Sequence, residues 1–176
     1  MNANRDVTEI TLRRAVAADA PTIGAVFDAA VAAGWTYLGP LVAEPMFTPH
    51  DWEQLVTDHE PPNVLLVAED GTGVIGYAAA HPEECEMFLL FVHPARAGRG
   101  VGRMLLAAAD DALRSAGCCE AFLFVHEQNQ RAIDVYCAAG YRPDGSDRLS
   151  EFRGRPIREL RLVKPFAAGK RSSSSR

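Results

Sequence analysis

Val92-His93-Pro94-Ala95-Arg96-Ala97-Gly98-Arg99-Gly100-Val101-Gly102 is the stretch that decides how this 176-residue chain folds. An apolar run, Glu86–His93, precedes it and reads as a central strand; Pro94, which has no amide hydrogen for a ladder, ends it. A helix follows from about Gly100 to Ser115, with Val101, Met104, Leu105, Ala108, Ala112 and Leu113 along one side. A strand that turns through glycines into a helix brings unpaired amides and the positive end of the helix dipole to one point. Such a point binds an anion, and a phosphate or pyrophosphate fits it. Gly98, Gly100 and Gly102 allow tight turning, and Arg96, Arg99 and Arg103 add positive charge. The stretch is not a P-loop, because the Gly-Lys-Ser/Thr ending is missing. Nor is it a dinucleotide fingerprint, since it comes late and no second βαβ half follows it.

Working outward, Val64–Glu69 and Val74–Ala80 are β-rich runs separated by Asp70-Gly71-Thr72-Gly73, which predicts a hairpin. Ile10–Arg13 reads as a first strand, and Ala15–Ala33 as a helix with Asp19 as its N-cap and Pro21 just inside. The segment 35–50 holds three prolines and several aromatics and reads as a loop on the substrate side. Thr48-Pro49-His50-Asp51 opens a helix that ends before Pro61-Pro62. Glu120–Val125 is a further strand, Asn129–Ala139 a short helix closed by Gly140, and Ile157–Lys164 a last strand. The segment 141–158 between them reads as a polar loop. The pattern is that of an α/β chain with a single mixed sheet flanked by helices. It predicts one domain over residues 1–166 and a serine-rich tail over 167–176.

Apolar residues make up 48% of the chain and charged residues 23%, the balance of a globular domain rather than a disordered one. The formal net charge of −5 gives no long-range attraction to a polyanion, so nucleic acid is not an expected partner. No run is long and apolar enough for a membrane span or a signal core. The four cysteines, Cys85, Cys118, Cys119 and Cys137, have no metal-ligand spacing and read as reduced thiols, which points to the cytoplasm. No metal site is expected.

Two windows together resemble one family. Ala97-Gly98-Arg99-Gly100-Val101-Gly102 is similar to the Gln/Arg-x-x-Gly-x-Gly/Ala signature of the GCN5-related N-acetyltransferase superfamily. Ala97 stands where Gln or Arg is usual, with Arg96 one residue earlier. The second window, Asn129 through Tyr141, resembles the family's Asn-x-x-Ala-x-x-x-Tyr-x-x-x-Gly-Phe/Tyr segment. The windows occur in the family's order, and the resemblance covers nearly all of the chain except the tail. It implies a mostly antiparallel central sheet, the acyl-CoA N-acyltransferase fold. It also implies acetyl-CoA as cofactor, with main-chain N–H groups of Ala97 to Gly102 on the pyrophosphate. Leu90, Phe91 and Val92 would then offer main-chain bonds to the pantetheine arm. A homodimer is compatible with the resemblance, but no interface is legible in the sequence.

Acetyl transfer to an amine requires that the carbonyl be polarised, the ammonium lose a proton and the leaving thiolate gain one. By resemblance Tyr136 is the proton donor to the thiolate; alternatively its phenol only orients CoA or packs the short helix. Asn129 is an N-cap, a pantetheine contact, or both. A main-chain N–H near Leu90 or Phe91 polarises the carbonyl. Glu86 resembles in position the base of histone-type members, and a carboxylate there either removes a proton through water or binds the cationic amine. His81, His126 and Glu127 are further candidates for the base. Trp35, Tyr37, Met46, Phe47 and Trp52 would wall the acceptor pocket, with the segment 141–158 opposite. The expected activity is acetyl-CoA-dependent N-acetylation of a primary amine of a small molecule. The alternatives are acetylation of a protein N-terminus or lysine, and a CoA-binding domain without turnover.

Overall fold

The structure, a computed structural model, describes residues 9–166; the tail over 167–176 lies outside the described residues. Seven strands form one sheet in the order β1-β2-β3-β4-β5-β7-β6. They are β1 Thr11–Arg14, β2 Val64–Asp70, β3 Gly73–His81, β4 Glu86–Val92, β5 Glu120–His126, β6 Arg142–Phe152 and β7 Arg155–Pro165. Every neighbouring pair is antiparallel except β4 and β5. The helices are α1 Ala20–Gly34, α2 Pro49–Asp58, α3 Val101–Ser115 and α4 Gln130–Ala138. None of them is long and apolar enough to cross a membrane.

Apolar spacing assigns the two faces of the sheet. Leu105, Leu106, Ala109 and Leu113 of α3 bury against Ala78, Ala80, Met87 and Leu123. Ile23, Val26 and Phe27 of α1 and Trp52 of α2 bury against Leu65, Val67, Tyr77 and Ala79 on the other face. α2 starts with a reciprocal cap: Asp51 N–H donates to Thr48 Oγ1 at 3.3 Å and Thr48 N–H to Asp51 Oδ2 at 2.7 Å. A buried network pins α3 to β7. The Tyr141 hydroxyl and the Lys164 ammonium each donate to Asp110 at 2.6 Å.

Four expectations need correction. Helix α1 begins at Ala20, because Ala15 N–H still pairs with Leu65 C=O at 2.9 Å and Ala17–Asp19 forms a 3₁₀ turn. Asp19 does not cap α1; its carboxylate accepts from Arg13 at 2.7 and 2.9 Å and from Val16 N–H at 2.8 Å. The segment after α1 is partly regular, a 3₁₀ stretch over Thr36–Val42 kinked at Gly39. The predicted loop over 141–158 is mostly strand β6 and the start of β7. β6 is an exposed edge strand with no apolar alternation to reveal it, and charge pairs to β7 (Arg148–Glu159, Arg158–Asp147, Arg161–Asp144) hold it.

The cysteines also differ from expectation. Cys85 and Cys118 form a disulfide, while Cys119 and Cys137 are free thiols. The two partners are 33 residues apart in sequence, so only the pairing of β4 with β5 brings them together. The inference of a reducing compartment from cysteine usage does not carry over.

Candidate active site

β4 and β5 meet at one rung, Glu86 opposite Phe122, and then diverge. His93 N–H donates to Ile75 C=O at 2.9 Å on the β3 side. Antiparallel alternation therefore turns Phe91 N–H toward β3, while the N–H groups of Leu90 and Val92 face the gap. Of the two sequence candidates for the polarising amide, Leu90 is available and Phe91 is committed to the sheet. A bulge earlier in β4 skips Phe88, since Ala79 pairs with Leu89 but Ala80 with Met87.

The diverging strands open two cavities. The first, of about 530 Å³, lies between the end of α1, the glycine turn and α4. Leu90, Phe91 and Val92 line it, as do Arg96, Ala97, Gly98, Gly100, Val101, Gly102 and Arg103. Asn129 and Tyr136 close its far side. Gly98 and Gly100 have φ of +79° and +82°, the left-handed region, and a Cβ on either would point into open space. Amides of Gly98, Gly100, Val101 and Gly102 have no protein partner among the described residues. This amide-lined cradle fits a pyrophosphate. Ala97 is a partial correction: its N–H is spent on Pro94 C=O at 3.1 Å, so the amide supply starts at Gly98.

The arginines divide. Arg96 and Arg99 both pair with Asp70 on the β2–β3 turn, at 3.3 and 3.0 Å, and Arg96 also donates to Thr72 Oγ1 at 3.1 Å. Arg99 is not on the cavity wall. Arg103 lines the cavity and has no ion pair among the described residues. Arg131, at the start of α4, lines it too and escaped the sequence analysis.

The second cavity, of about 690 Å³, opens on the α1 and α2 face. Trp35, Met46, Phe47 and Trp52 wall it, as expected. Tyr37 does not; its hydroxyl is hydrogen-bonded to His126 Nδ1 at 2.7 Å. Of the segment 141–158 only Arg148 reaches the cavity, with Glu159 just beyond it, both from strands. Four carboxylates (Asp51, Asp58, Glu86 and Glu159) face one arginine, so the pocket favours a cation. Buried Tyr77 also lines it, and its hydroxyl has no partner among the described residues.

Two histidine clusters stand in this pocket. On one side His59 Nδ1 lies 2.8 Å from Leu55 C=O and its Nε2 3.0 Å from His81 Nε2. His81 Nδ1 then lies 3.7 Å from Glu86 Oε2. On the other side His126 Nε2 lies 3.6 Å from Glu159, which also binds Arg148 at 2.6 Å. Burial lowers the pKa of both His59 and His126, against a backbone acceptor in one and Glu159 in the other. Glu127 leaves the set of candidate bases: it pairs with Arg158 at 3.0 Å and is not on the cavity wall.

The two cavities share six residues, Trp35, Leu90, Phe91, Asn129, Ala132 and Tyr136. Asn129 caps α4, accepting from Ala132 N–H at 3.2 Å, and so serves the helix while lining both spaces. Burial raises the Tyr136 phenol well above its ordinary range, so it stays protonated and able to donate. Its hydroxyl has no hydrogen bond among the described residues. Trp35, expected on the acceptor side, lines both cavities, and His59 is a site residue that nothing local in the sequence marks.

Comparison with known proteins gives the family and the fold. A family model described as Acetyltransferase (GNAT) family matches residues 31–141. The mycothiol acetyltransferase of Clavibacter michiganensis subsp. michiganensis is 35% identical over 89 residues, covering 49% of this chain and 29% of that protein. This chain spans less than half the length of the curated relatives it matches. A GCN5-related N-acetyltransferase structure from Kribbella flavida superposes with a TM-score of 0.70 at 26% identity, over 89% of this chain and 98% of that one. The PaiA N-acetyltransferase of Thermoplasma acidophilum, solved with coenzyme A, superposes with a TM-score of 0.63 over 90% of this chain and 99% of that one. At 17% identity that likeness is one of fold.

Proposed function

We propose that this chain, which belongs to the acetyltransferase (GNAT) family, transfers an acetyl group from acetyl-CoA to a primary amine of a small molecule. Acetyl-CoA supplies, when bound, an activated acyl group and a thiolate leaving group. The amides from Gly98 to Gly102 hold its pyrophosphate, and Arg103 and Arg131 add charge to the same cavity. Val92 N–H binds along the pantetheine arm, and Leu90 N–H stabilises the negative charge that builds on the acyl oxygen. Tyr136 delivers the proton that the departing sulfur needs. Glu86, with the other pocket carboxylates, receives the cationic amine.

The observation that carries this reading is the meeting of an amide-lined cradle and an acidic aromatic pocket at Tyr136 and Leu90. A CoA-binding domain without turnover would not need both Tyr136 and Glu86 on the cavity walls. A small acceptor is favoured over a peptide because the acceptor side is closed by its own chain. Arg153 donates to Pro45 C=O at 2.8 Å and Arg155 to Tyr37 C=O at 3.2 Å, tying the β6–β7 turn onto the segment after α1. A volume of about 690 Å³ is that of a small-molecule site. Similarity to mycothiol acetyltransferases supports the same choice.

The test is thiol release from acetyl-CoA with benzylamine, spermidine, glucosamine and a short peptide with a free N-terminus. The expected result is release with at least one small amine and none above background with the peptide. Binding of acetyl-CoA without release from any of them would leave only a binding domain.

A further inference from the structure

The line from Leu55 through His59 and His81 to Glu86 fixes where its hydrogens must be. A carbonyl oxygen only accepts, so the contact of 2.8 Å from Leu55 O to His59 Nδ1 places a hydrogen on that nitrogen. His59 is buried and neutral near pH 7, because burial disfavours its cation. Its Nε2 therefore carries a lone pair. His81 Nε2, 3.0 Å away, must bring the hydrogen between them. Neutral His81 is then left with its lone pair on Nδ1, which faces Glu86 Oε2 at 3.7 Å. A lone pair and a carboxylate facing each other repel unless a cation joins them. A proton on Nδ1 does this, and so does an alkylammonium held by both. Phe88, the residue skipped by the β4 bulge, stacks on His81 at 4.5 Å and on His59 at 6.0 Å, and so covers the pair.

We propose that His81 Nδ1 and the Glu86 carboxylate form the subsite for the acceptor's ammonium, with His81 as the base that removes its proton and His59 as the positioning residue that sets the His81 tautomer. This rests on the amine-acetyltransferase reading above. The ammonium gives one proton to His81 Nδ1, and the imidazolium formed is stabilised by Glu86. The freed nitrogen lone pair forms the C–N bond as the C–S bond breaks. Tyr136 protonates the sulfur and recovers a proton from the nitrogen, which carries one too many after attack. His81 then returns its proton to solvent, so one proton is released per turnover. The titratable groups in contact with His81 are Glu86 on β4 and His59 just after α2, and Asp51 and Asp58 of α2 line the same cavity.

Two measurements on the full chain test this. In long-range proton–nitrogen NMR of histidine-labelled protein, His81 should carry its hydrogen on Nε2 and His59 on Nδ1. Benzylamine added without acetyl-CoA should move the His81 Nδ1 resonance more than those of His126. The opposite tautomer, or an unmoved His81, overturns the proposal whatever the activity. In thiol-release kinetics, His81→Gln should lower kcat by about 10²-fold and flatten the acid limb of the pH profile, with the amine KM changed only severalfold. His59→Phe should lose about tenfold in kcat, and His59→Gln should recover most of it, because the amide oxygen still accepts from His81 Nε2–H. An unchanged kcat in His81→Gln, or equal loss in both His59 variants, overturns it too. If the wild type binds acetyl-CoA but acetylates no amine, the functional reading falls, and the NMR result decides the subsite alone.

Discussion

The two cavities are built by different means. The cradle is mostly backbone: two glycines in left-handed conformation, the first amides of α3 and the unpaired edge of β4. Its parts lie close together in sequence, and what they recognise is a phosphate and a chain of amides. The acceptor pocket is mostly side chain: aromatics from α1, α2 and the segment between them, histidines from the end of α2, β3 and β5, and four carboxylates from three elements. A backbone site tolerates surface change and fails when a Cβ is added. A side-chain site can change its ligand by single substitutions while the fold stays intact. One scaffold can therefore hold its donor constant and vary its acceptor.

The largest effect is expected at the seam between the two. Tyr136 lines both cavities, and its role in protonating sulfur belongs to turnover rather than to binding. Tyr136→Phe should lower kcat by about 10²-fold or more while leaving acetyl-CoA affinity within about threefold. Parallel loss in both, measured by thiol release and calorimetry, would make the phenol a CoA-orienting group and move the acid elsewhere.

The next effect separates the cavities. Gly100 has φ of +82°, and valine pays both strain there and the intrusion of its side chain into the cradle. Gly100→Val should weaken acetyl-CoA binding by roughly 10- to 100-fold. The response of His81 to benzylamine should persist, because His81 and Glu86 are not on the walls of the cradle. Loss of both would mean that the two spaces are one cooperative unit.

The same difference explains what could be seen in the sequence. The glycine turn is local, so an anion cradle is legible from its residues, and the resemblance carried by that turn and the Asn129–Tyr141 window supplies the fold and Tyr136. The sheet's central strands are legible too, since their apolar runs are continuous. The acceptor pocket was legible only as a list of aromatics, of which Tyr37 is not on the wall. His59 and His81 are 22 residues apart and meet only because α2 packs against the end of β3. Their pairing depends on tertiary contact, which no local pattern encodes. The same is true of the Cys85–Cys118 bond and of Arg131, whose place on the cradle comes from the docking of α4. β6 was missed because it is an edge strand stabilised by cross-strand charges, so burial left no mark on its sequence.

The smallest effect sharpens the claim that the cradle is backbone. Two of the three arginines at the glycine turn are held by Asp70, so their charge is already partly balanced. If amides do most of the work, Asp70→Asn should leave acetyl-CoA affinity within about threefold. The carboxylate's contribution should appear in stability instead. Its pKa is lowered to about 2, first by the Thr72 hydroxyl and amide and then by Arg99 and Arg96. An unfolded aspartate titrates near ~3.9. The folded value is the lower one, so the stabilisation is present above about pH 4 and is lost as pH falls through about 2. Asp70→Asn should therefore melt a few degrees lower than wild type at pH 7, and the gap should close as the pH drops through that window. A gap that is independent of pH would assign the difference to the turn's hydrogen bonds rather than to its charge. A large loss of acetyl-CoA affinity would show that the tethered arginines, and not the amides, carry the phosphate.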